Sequence, residues 1–548
     1  MNLTIFHTTK FFLALGAGLL IQQVATAQKK DTLKQETIDI ISKYQPKLRD
    51  AAKLNLTASL PSVDTTRPKL GYQVPALNLY FMYQPVPIRP LALGRDTSSL
   101  QLQNNYIKLG YGNFQTPLVQ AGFGTGRADK YNLGLYFNYT SSQGDIENQD
   151  YTNINVLGSG TYFSPLFEFN ASLGYNRNQV HYYGYDHDLY TFSKGDVKQG
   201  FNEVIAKVGA KNRPQNDWAF QFQPQAEFIV FGDSYKRMEN TFVLKAPIRK
   251  QLFEDIWFKA EGLLDLSNFK EDNNEQINNN VAAVHPAVEV TKPGFMLHAG
   301  VNPTWTNDKF YLLPDIVNES HLIRKKLILS SGWISYIDKN NFRNLANKNP
   351  FIEKYPVGIR NTRVEEKYTG IKGTLGSHLS YNTKFAAVTW YDLPLFVNDS
   401  IDGKKFYMRN EEELRAFQAH IEVGYQQEEK FQVRLALDWF NFTKQKTELK
   451  PWHVQPFQAN LYAQYTIAKK LHLNANLFTL NGSYYVLPTG YFAKTKSVQD
   501  LNAGATFDIG KNFNIWLNAN NLFNSKYQRW YGYQSYGLNV LGGITIKF

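Results

Sequence analysis

From about Asn104 to the terminal Phe548, apolar side chains recur at every second position. Tyr131, Leu133, Leu135, Phe137 and Tyr139 share one parity, with Asn132, Gly134 and Asn138 between them. A period of two is the signature of a strand with one greasy and one wet face. Phe457, Ala459, Leu461, Ala463, Tyr465 and Ile467 alternate in the same way. After Ala468-Lys469-Lys470 the alternation resumes at Leu471, Leu473, Ala475 and Leu477. Two such runs joined by a short polar connector predict a hairpin. A second hairpin is expected where Phe417–Tyr425 passes through Gln426–Lys430 into Phe431–Trp439.

Run length selects the architecture. A soluble β-sandwich also alternates, but its strands run about 5–6 residues. Many runs here reach about ten or more, the length a tilted strand needs to cross hydrocarbon. The polar parity is mostly neutral Asn, Gln, Ser, Thr and Gly, which suits a hydrated lumen. The predicted fold is all-β: a large antiparallel transmembrane β-barrel of about 18–22 strands. Outer loops are expected at Asn176–Gly200, Asn340–Thr362, Leu393–Asn410 and Tyr484–Ser497, where turn formers and aromatics gather. A barrel this wide cannot fill itself with wall side chains, so water, a plug or a partner must occupy it.

Ahead of the barrel, Lys10 precedes an apolar run over Phe11–Ile21, followed by Ala25-Thr26-Ala27. The run is too short to span a bilayer. It reads as a secretory signal cleaved between Ala27 and Gln28. Three regions result: a signal peptide over 1–27, a periplasmic N-terminal arm over 28–103, and the barrel over 104–548. Within the arm, Thr32–Tyr44 is expected to form a short helix with Asp31 as its cap and Pro46 as its stop. Pro61, Pro68, Pro75, Pro85, Pro87 and Pro90 then favour extended backbone.

Composition removes several functions. No cysteine is present, which excludes disulfides, thiolate metal sites and Cys nucleophiles. The net charge of +12 is spread over strands and turns, without the basic stripe of a nucleic-acid binder. HExxH, GxSxG and P-loop motifs are missing from the sequence, so neither catalysis nor a cofactor is expected. Asp186-His187-Asp188 is the best candidate for an extracellular ligand or cation contact. Neighbouring strand residues face opposite ways, however, and a solvated loop is the competing reading. Glu411-Glu412-Glu413 reads as a solvated strand entrance.

The run Asn521-Leu522-Phe523-Asn524, followed by Lys526-Tyr527 and an amphipathic strand ending at Phe548, resembles the ending of TonB-dependent receptor barrels. Glu365–Gly373 is similar to a mid-barrel strand of the same family. The resemblance implies an outer-membrane location and, for typical members, energy-coupled uptake of large solutes. Such receptors carry a globular plug before the barrel. The arm over 28–103 does not read as one, and Gln35–Ile40 is only loosely similar to a TonB box. The expected function is transport or binding of a solute across the outer membrane without catalysis. The alternative is a non-transporting barrel subunit of an assembly or secretion complex. Outer-membrane lipid is the expected surrounding. TonB, a separate plug or another envelope protein are the candidate partners.

Overall fold

The computed structural model describes residues 105–126, 130–212, 220–271, 276–353, 360–399, 401–428, 430–487 and 489–548. The expected cleavage point at Ala27 and Gln28, the arm and the TonB-box-like segment lie outside the described residues. Strands from Tyr106–Gly112 to Asn539–Lys547 pair antiparallel in chain order. The last strand pairs with the first, Tyr106 opposite Lys547 and Gly112 opposite Leu541. The result is a closed barrel of 22 strands, at the top of the expected range. Closure leaves no unpaired sheet edge to face lipid.

Two of the 22 strands are interrupted. One runs as Phe220–Phe222 and Gln225–Asp233, broken at Pro224. The other runs as Ile277–Val284 and Ala287–Lys292, broken at His285-Pro286. Proline has no N–H to give the ladder, so the pairing lapses there and resumes beyond it.

Both expected hairpins form. Gln458–Ile467 pairs residue by residue with Leu471–Leu480, and Ala468 and Lys469 take positive φ in the turn. Gln427 lies opposite Phe431 at the other turn. The apolar parity faces outward. Leu133 and Leu135 are about half exposed, as are Phe385, Phe417 and Phe507, which is what lipid contact requires. Tyr131, Tyr162, Phe507 and Phe548 gather at the end that carries the short turns, as an interfacial girdle would.

The closing seam has its own packing device. Trp516 lies inside the barrel, almost fully buried with Leu118 and Leu541. The Lys108 ammonium sits 4.2 Å from its ring. Gly110 and Gly543 face each other across the seam. A Cβ on Gly110 would collide with the indole, and one on Gly543 would collide with the Leu109 carbonyl.

Turns at the end holding the first and last strand termini are short, while connections at the other end are longer and more varied. In bacterial barrels the short turns are periplasmic, so the long loops face outward. Two expected loop boundaries change. The loop placed at Asn176–Gly200 is confined to 182–197, because Phe167–His181 and Lys198–Asn212 continue as strands. The loop placed at Leu393–Asn410 shrinks to the turn between Leu379–Asn398 and Phe406–Gln427. In both places the wall stands taller than a membrane crossing needs, and the pairing of its backbone groups continues beyond the greasy zone.

Candidate functional site

The outward loops do not stand open. The connection between the strands Leu327–Asp338 and Thr362–Leu375 contains a short helix, Phe342–Lys348. Asn341 caps it, accepting the Asn344 N–H at 3.0 Å. Phe342, Leu345 and Ala346 supply its buried stripe. That stripe docks on a distant part of the wall. Phe342 is fully buried, 5.4 Å from the Phe231 ring and 5.1 Å from that of Phe269. Glu239 accepts the Phe342 N–H at 2.7 Å, filling one of the unpaired donors of the first turn. Arg343 is bonded to Glu203. Lys339 donates to the Asp265 carbonyl at 2.9 Å and to Ser267 at 2.8 Å. Arg237 and Asp233, both buried, pair through Nε and Oδ2 at 2.6 Å, and Arg237 also reaches the Glu353 carbonyl.

Four further connections converge on this inserted loop. Phe351 stacks on Tyr533 with ring centres 3.5 Å apart. Tyr533 meets Tyr183 edge-on at 4.9 Å, and Phe406 meets Trp530 at 5.5 Å. Buried tyrosine hydroxyls need partners, and these find backbone carbonyls on other loops. Tyr182 donates to Ile352 at 3.2 Å and Tyr183 to Gln534 at 2.8 Å. Tyr536 donates to Gln149, and Tyr533 to Lys404. Burial pushes the hydroxyl pKa of Tyr182, Tyr183 and Tyr533 upward, so all three stay protonated donors. Together these residues form one aromatic core across the barrel mouth. The lid is made from the chain's own loops.

Beneath the lid the wall is hydrophilic in two distinct ways. Across five consecutive strands an amide ladder runs at a single level. Gln120 donates to Asn138 at 2.9 Å, Asn138 to Asn155 at 3.1 Å, and Asn155 to Asn176 at 3.0 Å. Asn176 then donates to Glu203 at 2.8 Å, the carboxylate that also holds Arg343 of the inserted helix. Each pair is directly opposed in register. Farther round, charged and titratable side chains replace the amides and meet in pairs. Lys372 meets Glu319 at 2.6 Å, Lys384 meets Glu366 at 2.9 Å, and His298 meets Asp315 at 3.0 Å. This stretch of the wall is polar.

The remaining candidate residues are architectural. Asn521 is fully buried with φ near +54°. It accepts the Ser525 N–H at 2.7 Å and donates to the Ser525 and Tyr536 carbonyls at 2.9 and 2.6 Å. Leu522 donates its N–H to the Leu501 carbonyl at 2.9 Å, and its side chain, like that of Phe523, is exposed. Asn524 accepts the Leu538 N–H at 3.0 Å. Tyr527 is buried against Phe478, Leu480 and Val498. The motif is therefore the turn that launches the last loop into the lid. Phe548 is exposed, with its N–H on the Asn105 carbonyl at 3.0 Å.

Asp186, His187 and Asp188 lie in loop 182–197. Asp186 turns back to accept the Asp188 N–H at 3.0 Å. The His187 imidazole sits 3.1 Å from the Tyr183 carbonyl and meets the Tyr185 ring at a tilt, centres 4.2 Å apart. The three side chains form a turn and do not converge on a common point. Among the described residues no group of three or more His, Asp or Glu is placed to hold a metal.

Glu411 departs from its expected solvated role. Its buried carboxylate accepts the N–H groups of Lys446, Thr447 and Glu448 at 2.7, 2.9 and 2.6 Å, tying loop 446–456 to the wall.

No family model matches the chain, and no curated protein matches it. Solved structures do. The barrel is similar to the FrpB iron transporter of Neisseria meningitidis, with TM-score 0.64, 10 % identity and 81 % of each chain covered. It is similar to the ferric enterobactin receptor PfeA of Pseudomonas aeruginosa at TM-score 0.63 and 10 % identity, over 81 % of this chain and 80 % of that one. The siderophore receptor PirA of Acinetobacter baumannii aligns at TM-score 0.65 and 9 % identity with the same coverage. The chain thus has the fold of TonB-dependent iron and siderophore receptor barrels.

Proposed function

We propose that this protein moves or binds a solute across the outer membrane, without bond-making chemistry, through a lumen gated by its own outward loops. The observation that carries this reading is the inserted helix Phe342–Lys348, bolted to a distant wall through Glu239 and Glu203 above a bore lined with amides and charged side chains. A hydrophilic bore has no use in a permanently solid cylinder. The polar grip of the helix is also easier to reverse than a purely apolar one, because water can replace each hydrogen bond. TonB, a separate plug or another envelope protein are the candidate agents of opening.

A second reading is supported by the density of the lid. Phe342, Leu345, Ile352 and Phe406 are as inaccessible as the core of a soluble domain, which suits a sealed barrel serving as a subunit of an envelope assembly. Single-channel recording separates the two. Purified wild-type protein should be closed, and a variant with 342–348 replaced by a Gly-Ser linker should conduct. If the linker variant stays closed while its barrel is intact by heat-modified gel mobility, gating by these loops is wrong.

A further inference from the structure

One cavity under the lid has the chemistry of a binding site. A half-open cleft of about 350 Å³ lies between the strand Leu379–Asn398, the strand Phe431–Gln445, loop 446–456 and the last loop. Its walls include Trp390, Phe440, Phe442, Trp452 and Trp530. That size and lining are typical of small-molecule sites. Arg529 also lines it. Arg529 keeps part of its surface open, but its Nη1 is shut off from solvent and has no hydrogen-bond partner. Its nearest π-face is the neighbouring Trp530, 5.2 Å away.

Among the described residues no aspartate or glutamate lines the cavity. Lys348, at its edge, is committed to Asp338 at 3.0 Å. His453, also in the wall, is held neutral by burial, with a pKa lowered to about 3. Burial brings Arg529 down to about 10, so at neutral pH it remains a cation. A guanidinium nitrogen shut off from water without a partner is costly unless an acceptor completes it, and the planar fork matches a carboxylate edge.

We propose that this cavity binds a small amphipathic organic carboxylate, its flat apolar body between the aromatic walls and its carboxylate on Arg529. The neutral amides of Gln455 and Gln458 would hydrogen-bond any remaining polar edge. The inference deepens the solute-binding reading by naming a ligand class. Its test involves no flux, so binding can fail or succeed independently of whether the lid conducts.

The full-length protein in lipid nanodiscs is titrated with 4-nitrobenzoate, a quencher of the tryptophans that line the cavity, and with its neutral analogue 4-nitrobenzamide. Saturable quenching by the carboxylate is expected. Arg529→Gln should weaken it by about tenfold or more while leaving the amide unchanged. Inorganic phosphate should not displace it. Should Arg529→Gln lose both compounds, Arg529→Lys decides: retained carboxylate preference supports the site, and its loss overturns it. Linear, non-saturable quenching identical in wild type and Arg529→Gln would mean a water-filled cavity only. Equal displacement by phosphate would mean a plain anion site. Either result overturns the proposal.

Discussion

Gly532 rests directly on the peptide of Gly184 where two lid loops cross. Gly532 has φ of +85°, and a Cβ built on it would collide with the Gly184 carbonyl. The same crossing is tight from the other side, since a Cβ on Gly184 would run into the Tyr533 ring. Positive φ already disfavours a side chain, and here the space is taken by backbone that cannot swing aside. Gly532→Ala is therefore expected to loosen the lid by about 1–3 kcal/mol without harming the barrel. Raised open probability in planar bilayers, with unchanged heat-modified mobility, is the expected result. A closed and quiet Gly532→Ala channel would show that the crossing does not hold the lid.

Phe342 is a fully buried anchor of the lid. Truncating a buried Phe costs about 3–5 kcal/mol where the site cannot collapse, and rings from three strands surround this one. Phe342→Ala should make segment 339–353 cleavable by an externally added protease on intact cells. Wild type should resist under the same digestion, and equal resistance would count against the anchor.

Acid should open the lid through His453. This residue is buried in loop 446–456, with Nδ1 2.8 Å from the Phe396 carbonyl and Nε2 receiving the Tyr531 N–H at 3.4 Å. The Phe406 and Trp530 rings flank it, and Arg529 is the nearby charge. Burial lowers its pKa to about 3. The closed lid therefore prefers the neutral ring, whereas a released loop titrates near 6.5. Stability contributed by this residue is complete above about pH 6.5 and falls progressively toward pH 3. At pH 5 the loss is about 2 kcal/mol. Channel activity should rise between pH 7 and pH 5, and His453→Gln should flatten that response. An unchanged acid response in the variant would exclude His453 as its source.

Asn521 predicts an assembly defect. Its side chain satisfies three groups of the last loop from a fully buried position. Asn521→Ala leaves the Ser525 N–H and the Tyr536 carbonyl without their partner, while the Ser525 carbonyl keeps the Ser535 hydroxyl, at about 1–3 kcal/mol for a buried unsatisfied group. The expected readout is a lower midpoint in the thermal unfolding of the barrel followed by gel mobility. A midpoint equal to wild type would contradict the role given to this turn.

The wall was legible because lipid acts on every second residue at short range: Leu133, Phe417 and Ile467 announce their face from their neighbours alone. The position of the Asn521 motif was legible for a similar reason, since its bonds close within about fifteen residues except for those to the adjoining strands. The lid was not. Tyr183 and Gln534 are separated by 351 positions, and no local period encodes their meeting. The helix at Phe342–Lys348 did leave a trace, in a capping Asn341 followed by apolar residues at 342, 345 and 346. Glu411 misled because three adjacent acids suggest solvent. Only the folded geometry brings three backbone N–H groups of another loop onto one of them.

The amide ladder has a direction. A carboxylate can only accept, so Glu203 obliges Asn176 to present its nitrogen, and the obligation passes through Asn155 and Asn138 back to Gln120. Every dipole in that arc is lined up by one acidic terminus, which also grips Arg343. A stretch of wall with almost no net charge thus acquires a sense of rotation. Unseating the helix would strip the arc of its countercharge and turn a movement at the mouth into an electrical change felt four strands away.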